Sequence, residues 1–374
     1  MDLDDLYPAL SDLAAAAKRR VPRFVWEYLD SATGDESSMH ANTAALNAVR
    51  LTPRVLSPFT ADLTTTFLRQ SWDAPFGIAP VGMSGLVWPG AEVALATAAT
   101  KAGLPYSLST VAAATPEEVG PSTGGRGWFQ LYPPRDPEIR RDMLARAKAS
   151  GFDTLILTAD VGTPSRRERQ RRARLTNPMR LRPHIVAQAA LRPAWSLATL
   201  RSGIPGLKTL EPYAGPDAPG GTTGHIGYRL RVAPDLDYLK ALRAEWDGAL
   251  IVKGILDPDD AGTVAPLCDA VWVSNHGGRQ FEGAPAAATV LPAIRNAVPD
   301  LPLIADGGVR SGTDILRLIA LGADLVMLGR AFHHGYAALG RAGIDHAIHI
   351  LREGMIADMG QLAIGTPPEA RQRL

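Results

Sequence analysis

Eight short apolar runs, each closed by polar or glycine residues, recur along the chain and constrain its fold more than any other feature. Helix-like segments follow most of them, as at 136–150, 257–267 and 312–321. Strands that alternate with helices form a parallel sheet, and eight such strands favour closure into a (β/α)8 barrel. The predicted strands are Pro75–Gly82, Tyr106–Thr110, Trp128–Tyr132, Thr154–Asp160, Ala249–Gly254, Ala270–His276, Leu301–Gly308 and Asp324–Arg330. The fold class predicted is therefore α/β, with a TIM-barrel architecture.

The carboxyl ends of these strands carry the polar residues of greatest interest. In a barrel these ends meet at one face, which is where active sites lie. The groups found there are Gly82, Ser109, Gln130 with Tyr132, Thr158 with Asp160, Lys253, His276, Asp306, and Gly329 with Arg330. Since every predicted strand contributes such a group, we expect one functional site at this face.

The stretch 274–280, Ser-Asn-His-Gly-Gly-Arg-Gln, follows one of these strands and carries the clearest chemistry. His276 titrates near neutrality and can accept a proton, whereas Arg279 is a permanent, fork-shaped partner for a carboxylate. The two glycines between them allow the backbone to approach a ligand closely. The pair predicts proton abstraction from a substrate that carries a carboxylate.

Two glycine-containing loops after the last two strands predict a phosphate site. In the first loop Gly307 and Gly308 are followed by Arg310, and in the second Gly329 is followed by Arg330. Glycine amides and guanidinium groups both bind a phosphate dianion well. A tight turn alone would also explain the two adjacent glycines. Lys253 ends an apolar strand, where it could form a Schiff base, place a positive charge beside a developing anion, or simply face solvent.

Three further side chains complete the predicted site. Asp160 could orient an imidazole and stabilise the imidazolium, Arg167 could be a second carboxylate clamp, and Tyr132 could reach a substrate hydroxyl. Read in isolation, the charges of this loop could equally be a solvated surface. No HExxH motif, CxxC pair or Walker loop occurs, so no metal site is predicted.

The whole chain, 1–374, is interpreted as one domain, in which a helical extension (1–70) precedes a barrel (71–374) with an insertion at 170–232. From Arg169 to Leu210 the insertion has no Asp or Glu. Its basic residues are Arg171, Arg172, Arg174, Arg180, Arg182, Arg192, Arg201 and Lys208, interleaved with apolar ones. Such a segment can lie on an anionic membrane surface, and an active-site lid or a subunit contact are the alternatives.

Charge and hydropathy limit the possible partners and the location. The net charge of +1 argues against nucleic acid as a partner. The acidic start shows no signal-peptide pattern, and no apolar run reaches the ~18 residues of a membrane span. We therefore expect a cytoplasmic protein, with the insertion offering a possible peripheral attachment to the inner face of the cell membrane.

Together these motifs resemble the FMN-dependent α-hydroxy acid oxidase and dehydrogenase family, which includes glycolate oxidase, L-lactate dehydrogenase and mandelate dehydrogenase. The resemblance covers Pro22 to about residue 360 and rests on seven segments in order. They are Pro-Phe-Gly-Ile-Ala-Pro at 75–80, Trp-Phe-Gln-Leu-Tyr at 128–132, Leu-Thr-Ala-Asp at 157–160, Val-Lys-Gly at 252–254, the stretch 274–280, Asp-Gly-Gly-Val-Arg at 306–310, and Gly-Arg at 329–330.

The resemblance implies a role for each site residue. His276 would be the base and Asp160 its partner; Arg279, Arg167 and Tyr28 would bind the substrate carboxylate, and Tyr132 its hydroxyl. Lys253 would lie beside the N1–O2 edge of the flavin. The remaining FMN contacts implied are Pro80, Gly82, Ser109, Gln130 and Thr158 around the ring, Asp306 at the ribityl chain, and Gly308, Arg310, Gly329 and Arg330 at the phosphate.

The resemblance also implies an activity: oxidation of an L-2-hydroxy acid, L-lactate foremost, to the 2-oxo acid. Gly82 stands where glycolate oxidases tend to have alanine, and the insertion lies where mandelate dehydrogenases have a membrane segment, so a quinone or other carrier is the expected electron acceptor. Val111 stands where glycolate oxidases commonly have a large aromatic residue, so the pocket could differ in shape there. The identity of the substrate side chain is therefore not predicted. A homotetramer is expected from the resemblance alone.

Three alternatives remain at this point. An oxidase would use oxygen and produce hydrogen peroxide. A phosphate-binding barrel isomerase or lyase would need no flavin. A membrane-associated flavoprotein without activity is disfavoured because the base and both carboxylate clamps are present.

Overall fold

The computed structural model describes residues 2–173, 182–213 and 231–374. Its centre is a sheet of eight parallel strands, and a separate antiparallel hairpin precedes it. The hairpin strands are β1 (Thr65–Phe67) and β2 (Gln70–Trp72). The sheet strands are β3 (Phe76–Ile78), β4 (Ser107–Ser109), β5 (Gly127–Leu131), β6 (Phe152–Thr158), β7 (Ala249–Ile255), β8 (Ala270–Val273), β9 (Leu303–Ala305) and β10 (Leu325–Leu328).

The sheet closes on itself, which confirms the predicted (β/α)8 barrel. Consecutive strands pair from β4 to β10, and β10 pairs with β3. Between β3 and β4 a parallel bridge joins Ile78 to Tyr106, and the Ile78 amide donates to the Pro105 carbonyl at 2.9 Å. Because all eight strands are parallel, their carboxyl ends lie at one mouth of the barrel.

Large apolar side chains fill the barrel and its opposite mouth. Phe67 and Trp72 of the hairpin pack against Trp128, which points inward from β5. Trp272 of β8 belongs to the same buried cluster and is fully buried. The hairpin therefore covers the amino-terminal mouth, so that ligands can enter only from the other end.

Helices surround the barrel on its outside. Several begin at a residue whose side chain caps the helix: Asp136 accepts from the Glu138 amide at 2.8 Å, and Ser311 from the Asp314 amide at 3.2 Å. The helices that follow barrel strands are Ser84–Val87, Ala91–Lys101, Pro116–Val119, Pro137–Ala149, Leu236–Glu245, Pro258–Val264, Ala287–Ala297, Gly312–Ala320, Arg330–Leu339 and Arg341–Leu362.

Further helices lie before the barrel and in the long connection between β6 and β7. Those before the barrel are Leu3–Leu6, Leu10–Arg20, Arg23–Asp30 and Ser37–Ala48; those in the connection are Glu168–Arg172, Pro183–Ala190 and Pro193–Ser202, with a 3-10 turn at Lys208–Tyr213. Arg174 and Arg180 of the predicted basic set lie outside the described residues. Within the described ranges, no helix combines the length and apolar character needed to cross a membrane.

Five of the eight barrel strands, β3, β4, β8, β9 and β10, are shorter than the apolar runs that predicted them. The first run, 75–82, is a strand only over Phe76–Ile78, and the eighth, 324–330, only over Leu325–Leu328. The residues beyond each strand turn into loops, because they must curve over the barrel mouth rather than continue the ladder. This difference matters for the site, since Gly82, His276 and Arg279 lie on such loops, whereas Gln130, Thr158 and Lys253 lie on strands.

Candidate active site

One cleft opens at the carboxyl-terminal mouth of the barrel and contains nearly all of the site residues predicted from the sequence. Only Asp160 and Ser109 do not line it. The predicted residues that line it are Tyr28, Pro80, Gly82, Gln130, Tyr132, Thr158, Arg167, Lys253, His276, Arg279, Asp306, Gly308, Arg310, Gly329 and Arg330. Predicted residues on or after seven of the eight barrel strands, together with Tyr28 of the amino-terminal extension, thus share one space.

His276 and Asp160 form a close pair at the cleft. The His276 Nδ1 atom lies 3.1 Å and 3.2 Å from the two carboxylate oxygens of Asp160, so Asp160 stands directly behind the ring. Gly254, on the strand between them, has φ +102°, and an added Cβ would lie 2.7 Å from the Asp160 Cβ. A glycine here gives Asp160 the room to reach the imidazole.

The charges around this pair favour a neutral imidazole beside an ionised carboxylate. Burial lowers the pKa of His276 below its usual value, and Lys253 acts in the same direction, whereas Asp160 opposes them. Burial would raise the pKa of Asp160, but His276 and Lys253 outweigh it and hold that pKa below its usual value. A neutral imidazole whose Nδ1–H is donated to a carboxylate leaves Nε2 able to accept a proton.

Lys253 is held by a buried polar cluster at the base of the cleft. Its Nζ atom donates to Ser274 Oγ at 2.8 Å and lies 3.6 Å from an Asp306 oxygen. Asp306 also accepts from Ser274 Oγ at 2.7 Å and from Trp272 Nε1 at 3.0 Å. Lys253 is only 5% exposed, so its ammonium group has one defined position facing the cleft. This geometry favours the charge-partner interpretation, because the lysine is fixed by an ion pair.

A second buried chain of hydrogen bonds orients the Gln130 amide. Its Oε1 atom accepts from Ser109 Oγ at 2.8 Å, and its Nε2 atom donates to Thr158 Oγ1 at 2.8 Å. Ser109 therefore lies behind Gln130 rather than in the cleft. The contact follows from the pairing of β4 with β5, which makes Ser109 and Gln130 neighbours in the sheet. The predicted contact of Ser109 with the flavin ring stays a prediction.

Two arginines share the carbonyl groups at the end of the helix Arg23–Asp30. Arg279 donates to the carbonyls of Tyr28, Leu29 and Ser31 at 3.1, 3.2 and 2.7 Å. Arg330 donates to those of Leu29 and Ser31 at 3.1 and 3.0 Å. Burial, with Arg167 and Arg330 nearby, lowers the pKa of Arg279 to about 9, so it is still a cation at neutral pH.

These cations fit the anionic cofactor that the sequence resemblance implies. Within the described residues, Arg279, Arg310 and Arg330 have no carboxylate at ion-pair distance, which leaves positive charge facing the cleft. Gly307 and Gly308 have φ +102° and +82°, and a Cβ at either position would lie within 3.2 Å of Asn42. The glycine backbone and the guanidinium groups together have the shape and charge that a phosphate would fit.

The other predicted substrate contacts lie around the same opening. Arg167 donates to Ser165 Oγ at 3.0 Å and to Gln280 Oε1 at 3.2 Å, both neutral groups. The Tyr28 hydroxyl donates to the Gly82 carbonyl at 2.8 Å. Gly82 is closely packed, because an added Cβ would lie 2.6 Å from Val111 Cγ2.

The cleft also includes residues that the sequence did not single out. Gln170, Leu207 and Arg231 reach it from the long connection between β6 and β7, and the Arg231 guanidinium stacks 4.3 Å from the centre of the Tyr132 ring. No strand pattern marks these positions, since Gln170 lies in the short helix Glu168–Arg172, and Leu207 and Arg231 lie outside the helices and strands of the structure. Ser274 could have been predicted, because it belongs to the 274–280 stretch.

Comparisons with known proteins find several that are similar to this chain. A family model described as FMN-dependent dehydrogenase matches residues 17–374. An L-lactate dehydrogenase of Pseudomonas aeruginosa is 38% identical over 354 residues, covering 93% of this chain and 92% of the relative. One of Acinetobacter baumannii is 38% identical over 352 residues, covering 92% and 91%.

Solved structures give a similar result. A monotopic membrane protein, (S)-mandelate dehydrogenase, superposes with a TM-score of 0.92 at 32% identity, covering 97% of both chains. A mandelate oxidase superposes with a TM-score of 0.82 at 30% identity, covering 98% of this chain and 97% of the other. Both dehydrogenases and oxidases therefore share this architecture.

Proposed function

Since the chain belongs to the FMN-dependent dehydrogenase family, we propose that it oxidises an L-2-hydroxy acid to the 2-oxo acid and passes the electrons to a quinone or another carrier. The enzyme is an FMN-dependent oxidoreductase that acts on 2-hydroxy acids. L-Lactate is the leading candidate substrate, because the relatives named above are L-lactate dehydrogenases. The family match also sets aside the flavin-free isomerase or lyase considered from the sequence.

The observation that carries the proposal is the His276–Asp160 pair, with a 3.1 Å contact, beside two arginines. In the proposed reaction the imidazole Nε2 of His276 accepts the proton of the substrate hydroxyl, and Asp160 stabilises the imidazolium that results. Arg279 and Arg167 bind the substrate carboxylate and Tyr28 assists them. Tyr132 contacts the hydroxyl and aligns it with the base.

FMN supplies the two-electron acceptor for this oxidation. We propose that the ring is held against Pro80, Gly82, Gln130 and Thr158, with Ser109 acting through Gln130. Lys253, fixed by Asp306 and Ser274, places its charge beside the ring, where negative charge develops on reduction. Gly308, Arg310, Gly329 and Arg330 surround the phosphate.

The surface of the long connection supports attachment to an anionic membrane. The helices Pro183–Ala190 and Pro193–Ser202, with the residues that follow each of them, expose apolar side chains to solvent: Val186, Leu191, Leu197, Leu200 and Ile204. A niche that includes Arg192 of this connection is lined by four basic residues, Lys18, Arg19, Arg23 and Arg192, and by one acidic residue, Glu27, around Trp26. Apolar residues next to basic ones suit the interface of an anionic bilayer. Such attachment would bring the cleft close to a quinone, and the related (S)-mandelate dehydrogenase is a monotopic membrane protein.

Membrane attachment is tested by co-sedimentation with vesicles of phosphatidylglycerol and phosphatidylcholine. Serine at Leu191 and Leu200, which are 71% and 80% exposed, should reduce binding strongly. Serine at Val55 and Leu56, which are 78% and 102% exposed but lie elsewhere, is the matched control and should leave binding unchanged. Equal binding by both double variants would refute this surface as the attachment site.

The activity itself is tested by anaerobic bleaching of the flavin. L-Lactate and other S-2-hydroxy acids should bleach it, whereas the R enantiomers should not. If no 2-hydroxy acid bleaches the flavin, the proposed function is wrong.

The second candidate is an oxidase, favoured by the similarity to mandelate oxidase. Reoxidation of the reduced enzyme by oxygen and by a soluble quinone, measured in parallel, separates the two. Light scattering coupled to gel filtration tests the proposed homotetramer.

A further inference from the structure

Two loops of the cleft lie side by side although they are far apart in the sequence. The loop after β3 contributes Pro80, Val81 and Gly82 to the cleft, and the chain after β10 contributes Gly329 and Arg330. The two strands pair directly in the sheet. Beyond the strands, an added Cβ at Gly329 would lie 3.1 Å from Val81 Cγ2, so the two loops touch at the cleft itself.

A buried histidine connects these two loops. His333 lies in the helix Arg330–Leu339 and is 1% exposed. Its Nδ1 atom lies 2.9 Å from the Gly329 carbonyl oxygen, and its Nε2 atom lies 2.7 Å from Ser84 Oγ. Ser84 Oγ in turn lies 2.9 Å from the Val81 carbonyl oxygen. One chain of short contacts therefore runs from the carbonyl of Gly329 to the carbonyl of Val81.

The hydrogen-bonding roles in this chain follow from the chemistry of its members. A carbonyl oxygen only accepts, so the Nδ1 atom of His333 carries a proton and donates it to Gly329. Burial lowers the pKa of His333 to about 4, so at neutral pH the ring is neutral and its Nε2 atom accepts. Ser84 then has one hydroxyl proton for two acceptors, His333 Nε2 and the Val81 carbonyl. The Ser84 hydroxyl is thus the point at which the histidine and the β3 loop meet.

We propose that His333 is a positioning residue for the cofactor, which together with Ser84 fixes the separation between the loop at the flavin ring and the loop at the phosphate. The proposal rests on the FMN contacts proposed above, which assign Pro80 and Gly82 to the ring and Gly329 to the phosphate. Because one FMN molecule would touch both loops, a change in their separation weakens its contacts at one end or the other. His333 is not among the residues that line the cleft, so it acts through the loops rather than by touching the flavin.

The test measures FMN binding to the apoprotein by fluorescence titration. His333→Leu removes both contacts of the ring, whereas Ser84→Ala removes only a hydroxyl and stays informative if the first variant does not fold. Each should raise the dissociation constant for FMN by about tenfold, a factor that corresponds to the loss of one or two neutral hydrogen bonds. The double variant should bind about as weakly as either single variant, rather than about a hundredfold more weakly, because both changes break the same contact.

The matched control is His346→Leu. His346 is 5% exposed, its Nε2 atom lies 2.9 Å from the Tyr7 carbonyl oxygen, and it is not among the residues that line the cleft. This variant loses a comparable buried contact, so its melting temperature should fall while its dissociation constant for FMN stays that of the wild type. An equal loss of FMN affinity in His346→Leu would overturn the proposal, since any buried histidine would then have the same effect.

Two results for the variants themselves would also overturn the proposal. One is a wild-type dissociation constant in Ser84→Ala, and the other is a double variant whose loss equals the product of the two single losses. If Arg330→Gln weakens FMN binding while Ser84→Ala does not, only this inference fails. If neither does, the proposed phosphate site fails as well. Bleaching of the FMN-saturated wild-type enzyme by 2-hydroxy acids tests the proposed function separately.

Discussion

The contact between His276 and Asp160 can be tested by Asp160→Asn, which removes a charge while nearly preserving shape. With 3.1 Å between Nδ1 and the nearer carboxylate oxygen, unit charges at an effective dielectric constant of about 20 attract by about 5 kcal/mol. This attraction exists only after His276 has taken up the substrate proton. Since about 1.4 kcal/mol corresponds to a tenfold change in rate, kcat should fall by roughly 10³- to 10⁴-fold.

The pH dependence of the same variant distinguishes electrostatic stabilisation from simple disruption. In the wild type, kcat/KM should fall as the pH falls through the pKa of His276, which burial holds below 6.5, because only the neutral imidazole accepts a proton. Asp160 raises that pKa, so its removal should move the acid limb to still lower pH while the plateau falls. A protein that had merely lost its structure would not show such a shift.

The assay is anaerobic stopped-flow reduction of the flavin by a substrate acid between pH 4.5 and 8. Asp247→Asn is the matched control, because Asp247 forms an exposed ion pair with Lys148 away from the cleft. It should leave both rate and profile unchanged. If Asp160→Asn keeps its rate within threefold of wild type, or if its acid limb moves to higher pH, the carboxylate does not stabilise an imidazolium and the reasoning is refuted.

Three further substitutions test the cofactor end of the cleft. Arg330→Gln should weaken FMN binding by roughly ten- to a hundredfold, because one cation is lost from the phosphate site; equal dissociation constants in fluorescence titration would contradict this. Lys253→Met should slow flavin reduction by about 10²-fold or more in stopped flow and lower the flavin midpoint potential, and an unchanged potential would exclude the proposed charge effect. Gly82→Ala should raise KM, because its Cβ would meet Val111 Cγ2 at 2.6 Å. Adding Val111→Ala should restore KM, and failure of that rescue would show that crowding is not the cause.

The sequence predicted the barrel and most of the cleft for one physical reason. Parallel strands place their carboxyl ends at the same mouth, so residues as distant in sequence as Gly82 and Arg330 could be assigned to one site before any contact was known. The His276–Asp160 pair was predictable in the same way, since both residues follow barrel strands. Its distance was not predictable, because it depends on the glycine at position 254 of the intervening strand.

The parts that the sequence did not predict depend on irregular backbone or on neighbouring strands. Arg231 comes from a long connection whose path no periodicity encodes. Ser109 supports Gln130 instead of lining the cleft, which only the pairing of β4 with β5 reveals. The carbonyls of Leu29 and Ser31 have no side-chain signature at all, although two site arginines bind them.

Because two cleft arginines bind these carbonyls, anion binding in the cleft is thermodynamically coupled to the attachment of the amino-terminal extension. Arg279 and Arg330 repel each other while both hold the end of the helix Arg23–Asp30. Anions in the cleft relieve that repulsion and therefore strengthen the attachment of the helix. Coupling of this kind is reciprocal, so a change that loosens the extension must weaken anion binding by the same factor. Protease resistance around residue 30 should consequently rise when flavin and substrate bind. The stability of the helix Arg23–Asp30 would then depend on whether the cleft is occupied, although the helix contributes few residues to its lining.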